Sequence, residues 1–432
     1  MDVSKVKNID IEKIVLPEMI KIENKISDLH SIDIFDIFSI VKEQIAKTKF
    51  KERNKSGLKV AITAGSRDID QFDKVIKAVA MDVKELGGIP FIIPAMGSHG
   101  GGEAEGQVTI LKSYGITEKY IGAPIISSMN VVKIGKTKSE IPVYIDKNAM
   151  LADAIIVLNR IKAHTDFTGE IESGLIKMMV VGLGKHKGAS IVHKFKLELF
   201  SKIIPEIASV ILKKAPIALG IALIENGFGK LCKIKAIEPS NFLKEEKILL
   251  KEQKKSMHKI PVKNIDILVI NEIGKDISGA GMDPNIIGRS KSAEKNIGKN
   301  IKIIIPLDLS KKTCGNAAGI GLADLTTKKL FNKIDFNITY TNFLTSNVYL
   351  EAKIPMVLKD DEFAIKTAIK LLSKNDKNVR LVRIQNTRDI KEMEISIALL
   401  EEVQNKRSIK VLGTPRRLKV DFKGKLLDYP YI

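Results

Sequence analysis

The sequence predicts an α/β protein of two domains, with mainly parallel sheets flanked by helices. Short apolar runs that predict buried strands alternate with longer segments of helical periodicity, an order typical of parallel sheets covered by helices. A charged segment at 250–263, which contains Pro261, separates two such series and predicts the domain boundary. We therefore expect an N-terminal domain at 1–262 and a C-terminal domain at 263–432.

The elements of the N-terminal half follow in a regular order. KVAIT at 59–63 predicts a strand, and apolar residues three and four positions apart predict an amphipathic helix at 69–86. IPFIIP at 89–94 and DAIIVL at 153–158 predict two more strands, with a helix at about 103–113 between them. This repetition of strand, loop and helix is the basis of the predicted parallel sheet.

The second half of the chain shows the same alternation of predicted strands with other segments. Strands are predicted at the start of 266–285, at 301–310 and at 379–387. The apolar run APIALGIALI at 215–224 predicts a buried strand or helix, because it is shorter than the ~20 residues that span a bilayer.

The chain has a net charge of +20, from 71 Lys and Arg residues against 51 Asp and Glu residues. A basic balance can indicate nucleic-acid binding. The lysines are scattered, aromatic residues make up 5% of the chain and Trp is absent, so platforms for base stacking are not indicated. We expect no nucleic-acid partner, and a positive field would also suit anionic small substrates.

The N-terminus lacks the apolar core of a secretory signal. The two cysteines, Cys232 and Cys314, are too few for a disulfide framework and form no metal-binding motif. These features predict a cytoplasmic protein without a membrane partner.

Three side chains that could bind an anionic ligand or transfer a proton directly follow predicted strands. These are Arg67, His99 and His164. Ligands of open α/β sheets bind beyond the carboxyl ends of the strands, and parallel strands place those ends along one edge. Because histidine exchanges protons near neutral pH, the three positions predict a catalytic site at this edge.

A second unusual region joins a lysine to a histidine. Lys177 lies in an apolar run, and His193 stands at the start of a long apolar-periodic stretch predicted to be helical. One continuous helix would separate them by about 24 Å, but Gly182, Gly184 and Gly188 allow the chain to fold back. The alternative is a lysine that extends its amine to solvent beside an ordinary helical histidine.

These residues together resemble a known family. GSR at 65–67, PAMGSHGGG at 94–102, the histidine of IKAHTDFTG, and a lysine followed sixteen residues later by a histidine resemble the motifs of the lactate racemase family. Its members are nickel-pincer-nucleotide enzymes that racemise or epimerise 2-hydroxy acids. The motifs are concentrated in residues 60–195, and their combination is more specific than any one of them.

The resemblance implies a role for each matching residue. Lys177 would carry the cofactor, a pyridinium-3-thioamide-5-thiocarboxylic acid mononucleotide, through a thioamide, and His193 would bind its nickel. His99 and His164 would act as alternating acid and base during hydride transfer to the cofactor. Arg67 would hold the substrate. The resemblance further implies an active site in the cleft between two domains, and cofactor-synthesis enzymes as partners.

A substrate-binding lysine of the second domain is implied as well. In the family an aspartate precedes it by eight residues, and Asp283 and Lys291 fit that spacing. The glutamine expected between them is Gly288 here. Lys275 and Arg289 are competing candidates.

The chain departs from the family pattern at two places. Ala64 replaces an acidic residue expected three positions before the arginine, and the stretch between the second histidine and the lysine is longer, with Asp166, Glu170 and Glu172 in it. Both departures predict a 2-hydroxy acid other than lactate, one bulkier or more polar. They leave a relative that lacks the pincer cofactor as the alternative. His186 has no counterpart in the family.

Two alternatives from other functional classes follow from the residues. One is a basic α/β protein that binds a nucleotide or nucleic acid without turnover, which the salt dependence of binding would reveal. GLGKHKG lacks the spacing of a phosphate-binding loop. The other is a zinc hydrolase, but compact His-x-x-x-His spacing is absent from the sequence.

Overall fold

The computed structural model consists of two compact units. The N-terminal unit comprises Asp28–Met257, and the C-terminal unit comprises His258–Ile432 together with Met1–Ser27. The residues that the structure describes are 10–25, 30–53, 56–66, 69–165, 167–257, 259–289, 300–346 and 350–427.

The strands and helices are numbered in chain order over the described residues. The strands are β1 (Glu18–Asn24), β2 (Lys59–Ala64), β3 (Ile89–Pro94), β4 (Val131–Lys136), β5 (Pro142–Asp146), β6 (Ala154–Arg160), β7 (Ile217–Glu225), β8 (Leu231–Ile237), β9 (Asn264–Ile270), β10 (Asn300–Pro306), β11 (Leu325–Thr327), β12 (Met356–Leu358), β13 (Leu381–Ile384), β14 (Glu392–Ser396) and β15 (Ile409–Arg417). The helices are α1 (Ile37–Ala46), α2 (Phe50–Arg53), α3 (Phe72–Glu85), α4 (Ala104–Ser113), α5 (Glu118–Ile121), α6 (Lys147–Met150), α7 (Leu175–Lys177), α8 (Lys185–Val192), α9 (Phe200–Lys214), α10 (Phe242–Ser256), α11 (Pro284–Ile287), α12 (Lys328–Phe331), α13 (Phe336–Ser346), α14 (Asp361–Leu371) and α15 (Leu400–Val403).

The N-terminal unit is built on a five-stranded sheet in the order β3-β2-β6-β7-β8. The pairs β2–β3, β2–β6 and β6–β7 are parallel, and β7–β8 is antiparallel. A separate antiparallel hairpin is formed by β4 and β5. The sheet order places β3 and β6 on either side of β2.

Helices cover both faces of this sheet because its buried side chains alternate between two cores. Val60 and Ile62 of β2 pack with buried residues of α1 and α3. Ala61 faces the opposite way and packs with buried residues of α9 and α10. Strands buried on both faces read as continuous apolar runs, which is the pattern that KVAIT and DAIIVL show.

The C-terminal unit has a six-stranded sheet in the order β10-β9-β13-β14-β1-β15. The pairs of β9 with β10 and β13 are parallel, whereas β14 and β15 pair with β1 in antiparallel fashion. A short parallel pair, β11–β12, lies apart from it.

The α/β fold class predicted from the sequence is confirmed. The predicted strands 59–63, 89–94 and 153–158 correspond to β2, β3 and β6, the two predicted helices correspond to α3 and α4, and most of the run at 215–224 lies in strand β7. No helix among the described residues is long and apolar enough to cross a bilayer.

The division into units differs from the predicted domains 1–262 and 263–432 at two places. The boundary lies between Met257 and His258, and the segment Met1–Ser27 belongs to the C-terminal unit. Strand β1 belongs to the C-terminal unit, where it lies between β14 and β15. Strand pairing between the two ends of a chain leaves no local signal, because the partners are hundreds of residues apart. The predicted location of the site in a cleft between domains stays a prediction.

Candidate functional site

The loops that carry the predicted site residues leave neighbouring strands of the N-terminal sheet. Ala64 at the end of β2 pairs with Pro94 at the end of β3, and β6 runs parallel to β2 on its other side. The loops containing Ser66, His99 and His164 therefore begin along one edge of the sheet. Arg67 lies outside the described residues.

The loop that carries His99 turns on glycine. Gly97, Gly100, Gly101 and Gly102 all have positive φ, a backbone conformation that favours glycine over other residues. The Gln107 amide donates to the carbonyls of Gly97 (3.0 Å) and His99 (3.2 Å). The His99 side chain is exposed, so the loop presents a histidine to solvent on a firmly bonded backbone.

The loop that carries His164 is held by backbone hydrogen bonds between its two ends and by a buried carboxylate inside it. Lys162 and Ser173 exchange two backbone hydrogen bonds (2.9 and 3.2 Å). Glu172, 1% exposed, accepts the N–H groups of His164 (2.7 Å) and Gly169 (2.9 Å) and pairs with Lys254 (2.5 Å). These contacts explain how a stretch longer than the family pattern keeps a defined shape.

Lys177 lies beside His164. It is the last residue of α7, which runs directly into a π-helical turn at Met178–Gly182 and then towards α8. Its Nζ contacts His164 Nε2 and lies 5.9 Å from the centroid of the Phe167 ring. The structure thus brings together two residues that the sequence separates by thirteen positions.

Two phenylalanines connect this pair to His193. The His164 and Phe167 rings lie 4.4 Å apart between centroids, Phe167 and Phe200 lie 5.5 Å apart, and Phe200 and His193 lie 5.8 Å apart. Lys177 and His193 are therefore grouped around one aromatic cluster, formed by Phe167 and Phe200. The His193 side chain is exposed, as a metal ligand facing a bound group would need to be.

The chain reversal between Lys177 and His193 differs in detail from its prediction. The residue with positive φ is Lys185 (52°), and Gly182, Gly184 and Gly188 have none. The glycines instead allow close packing: a Cβ on Gly182 would lie 2.7 Å from the Ala95 carbonyl oxygen. The reversal is present, but its turn is made by a lysine.

His193 ends a helix, which corrects the prediction that it begins one. It follows α8 directly, and its N–H donates to the Ala189 carbonyl (2.9 Å). The long apolar helix, α9, starts only at Phe200, after a 3-10 turn at Leu197–Leu199. The apolar period runs across this break, which explains the error.

Lys185 is fully buried and ties several parts of the site together. Its Nζ donates to the Pro94 carbonyl (2.5 Å) and to Gln107 (3.1 Å), and lies 3.3 Å from Asp146. Burial lowers the pKa of Lys185 and raises the pKa of Asp146, against the attraction between the two charges. Through Gln107, Lys185 links the His99 loop to the segment between Lys177 and His193.

Residues of β7 and of the segment leading into β8 bind the end of the loop that follows β2. The Asp70 N–H donates to Glu225 (2.9 Å), which also pairs with Arg160. The Asp70 carboxylate accepts from Lys230 (2.9 Å) and from the Leu231 N–H (3.1 Å). These bonds fix the far end of the loop that contains Arg67.

The structure gives different surroundings to the three candidates for a substrate-binding cation in the C-terminal unit. Lys291 lies outside the described residues, and Lys275 is partly buried. Arg289 donates to the backbone carbonyls of Leu322 (2.9 Å) and Lys302 (2.9 Å) and pairs with Asp324. Arg289 therefore stabilises its own unit, and its guanidinium is engaged there.

Several residues that shape the site were not predicted. His186, which had no family counterpart, lies beside Gly102 of the His99 loop, since a Cβ on that glycine would be 3.6 Å from the His186 ring. Glu246 contacts the start of α7 and is fully buried. A signal for it exists: it lies four residues after Phe242 and three before Leu249, on the apolar face of α10.

Comparisons with known proteins find a similarity for the N-terminal part of the chain. Residues 8–199 match the family model described as the lactate racemase N-terminal domain. No curated protein sequence matches the chain significantly. The family match supports an isomerase of the racemase or epimerase class.

Solved structures give remote similarities. The lactate racemase apoprotein from Thermoanaerobacterium thermosaccharolyticum is 14% identical, with a TM-score of 0.47 and coverage of 91% of this chain and 96% of that one. A structural-genomics protein from Thermotoga maritima is 15% identical, with a TM-score of 0.47 and coverage of 64% and 71%. The family model, with the motifs it spans, confirms the resemblance found in the sequence: residues 8–199 of this chain are similar to the lactate racemase N-terminal domain.

Proposed function

We propose that this protein racemises or epimerises a 2-hydroxy acid with a nickel-pincer nucleotide tethered to Lys177. The observation that carries the proposal is the grouping of Lys177, His164 and His193 around one aromatic cluster, within a domain that matches the lactate racemase N-terminal domain.

The side chains present fit the group that the family implies. Lys177 offers a primary amine for the thioamide, and the exposed imidazole of His193 offers a nitrogen donor for nickel. Phe167 and Phe200 lie between the two and form an apolar wall. No group of three His, Cys, Asp or Glu side chains in the described residues could hold a metal, and a nickel held by cofactor atoms and one histidine requires none.

The chemistry divides between the cofactor and the protein. When bound, the cofactor would supply the hydride acceptor that the weakly acidic C–H bond of a 2-hydroxy acid requires. One of His99 and His164 takes the hydroxyl proton while the substrate becomes a planar 2-keto acid. The other donates a proton to the carbonyl oxygen as the hydride that the cofactor would hold returns to the opposite face of C2, which produces the other enantiomer.

The substrate carboxylate needs a cationic partner. Arg67, in the loop after β2, is proposed to bind it with two parallel hydrogen bonds, which would fix the reacting carbon while it inverts. Lys291 of the C-terminal unit is proposed as a second contact. The enzymes that synthesise the cofactor would be partners of this protein.

The substrate is proposed to be a 2-hydroxy acid other than lactate. Ala64, in place of an acidic residue, supports this. The longer His164 loop supports a different substrate only weakly, because two of its acidic side chains have partners within the protein. Glu172 accepts a backbone N–H of the loop, and Glu170 pairs with Lys247 (2.5 Å).

The tether can be tested by intact-protein mass. Expressed with the cofactor-making enzymes, the wild type should acquire a covalent adduct on Lys177 and bind nickel. Lys177→Ala should acquire none, whereas Lys187→Ala, which removes an exposed lysine of the same segment, should be modified like the wild type. An adduct of equal mass on Lys177→Ala would refute the assignment.

A further inference from the structure

One helix outside the matched family domain contacts the backbone of both the Lys177 and the His164 segments. The α10 side chain of Gln253 accepts the N–H of Ala163 (3.0 Å), next to His164. Glu246, two turns earlier on the same face, accepts the N–H of Ile176 (3.0 Å), next to Lys177.

The helix that presents Lys177 starts without a cap of its own. Its first N–H groups have no partners within the helix, and its N-cap residue, Gly174, has no side chain to supply one. The Glu246 carboxylate takes that place, since its Oε2 accepts the N–H of Ile176. A helix without a local cap is here capped by a residue that lies seventy positions from Ile176 in the sequence.

The space around the Glu246 carboxylate is fitted to it. Glu246 is fully buried, and a Cβ on Gly174 would overlap its Oε1. Oε1 has no hydrogen-bond partner among the described residues. A buried, incompletely bonded carboxyl is unfavourable for stability, so its position against the start of α7 indicates a function that an apolar side chain would not perform.

We propose that Glu246 is a positioning residue, which holds Lys177 in place by capping the helix that begins at Leu175. Lys177 is the third residue of that helix, so the direction of its side chain follows from where the helix starts. The importance of Lys177 rests on the proposed function, whereas the capping contact does not.

Three variants separate the cap from the packing. Glu246→Met removes both oxygens and keeps a side chain of similar length. Glu246→Gln keeps one acceptor oxygen and should restore the cap. Glu245→Gln is the matched control, because Glu245 lies on the same helix but pairs with Lys235 (2.5 Å). Thermal melting and circular dichroism verify that each variant folds.

The first measurement is hydrogen–deuterium exchange of the protein without cofactor. Amides of a peptide spanning 174–182 should exchange about tenfold faster in Glu246→Met, the scale expected for losing a helix cap. Glu246→Gln and Glu245→Gln should match the wild type. If folded Glu246→Met exchanges like the wild type, the capping role is wrong. If Glu246→Met does not fold, Gly174→Ala, which displaces the carboxylate, replaces it under the same criterion.

The second measurement is the fraction of Lys177 that carries the adduct after cofactor loading. It should fall about tenfold in Glu246→Met and stay at the wild-type level in Glu246→Gln and the control. Faster exchange with an undiminished adduct would overturn the positioning role. A wild type that acquires no adduct would refute the proposed function instead, and the exchange data alone would then decide the capping role.

Discussion

Lys177 and His164 contact each other through Nζ and Nε2, yet their proposed roles differ. A tether holds the cofactor through every turnover, whereas a general acid–base group gains and loses a proton in each one. The two roles can therefore be separated by variants that leave the tether in place and remove a proton-transferring group.

The proton-transferring groups are expected to be His99 and His164. His99→Ala and His164→Ala should each lower the rate of racemisation by about 10²-fold or more, the scale for losing a general acid–base group. Both directions should suffer, because each turnover uses both residues. The rates are measured from each enantiomer by chiral chromatography. A His99→Ala or His164→Ala variant that carries the adduct and racemises at the wild-type rate would contradict the two-base mechanism.

Lys185 is expected to be essential for stability. Lys185→Met leaves Asp146 buried without its partner and should cost about 3–5 kcal/mol of unfolding free energy. The double variant Lys185→Met/Asp146→Asn should recover part of that loss. Lys187→Met, at an exposed lysine stacked on Tyr144, should change little. Urea denaturation gives the values, and a Lys185→Met variant as stable as the Lys187→Met control would refute this role.

At this scale the sequence indicates candidate residues but does not indicate their burial. The roles of His99, His164, Lys177 and His193 stay predictions. These four residues were identified as candidates from their loops and spacing. Lys185 was not, because nothing in GLGKHKG distinguishes a fully buried lysine from an exposed one two positions later. The difference arises from contacts with Pro94, Gln107 and Asp146, which only the folded chain brings together.

Among the elements, α10 supports the site through polar side chains on its buried face. Burial raises the pKa of Glu246 to about 8, well above the ordinary range of a glutamate. At a pH between the ordinary pKa of a glutamate, about 4.3, and the raised pKa of Glu246, the folded protein holds a proton that the unfolded chain has released. The free energy of unfolding therefore falls as the pH rises towards 8 and levels off above it.

This gives a pH-dependent prediction for α10. The melting temperature of the wild type should fall between pH 6 and pH 8, with a contribution of at most about 1.4 kcal/mol per pH unit from Glu246. Glu246→Gln cannot release a proton and should lack this part of the fall. Melting curves of both proteins across the range measure it. Parallel curves would show that Glu246 titrates normally.

Periodicity predicted the helices and strands of the sheet but misplaced the element around His193. The apolar residues on both sides of that histidine keep a helical spacing, although the chain turns between α8 and α9. Spacing records which side chains are buried and does not record whether one helix or two bury them.

For the whole molecule, the pairing of β1 with β14 and β15 makes the N-terminal segment part of the C-terminal unit. No alternation within Glu18–Asn24 could reveal a partner near residue 395 or 410. The fold class was predictable because it follows from the order of strands and helices along the chain. The sheet to which β1 belongs was not predictable, because its partners lie near the other end of the chain.

A deletion tests this assignment. Removing residues 1–24 should expose β14 and β15 to rapid hydrogen exchange, because an interior strand of their sheet is lost. Strands β2, β3 and β6 should keep wild-type protection. A deletion of residues 1–9 leaves β1 intact and serves as the control. Loss of protection in β2 and β6 rather than in β14 and β15 would contradict the division into units.

The central claim is that the protein inverts a 2-hydroxy acid, and the most direct test is a panel of enantiopure 2-hydroxy acids, including sugar acids. The panel is incubated with nickel-loaded protein whose adduct has been verified by mass, and the products are resolved by chiral chromatography. We expect at least one member to approach its racemic or epimeric equilibrium, with no activity from Lys177→Ala. If the loaded protein inverts no member of a broad panel, the racemase proposal is wrong.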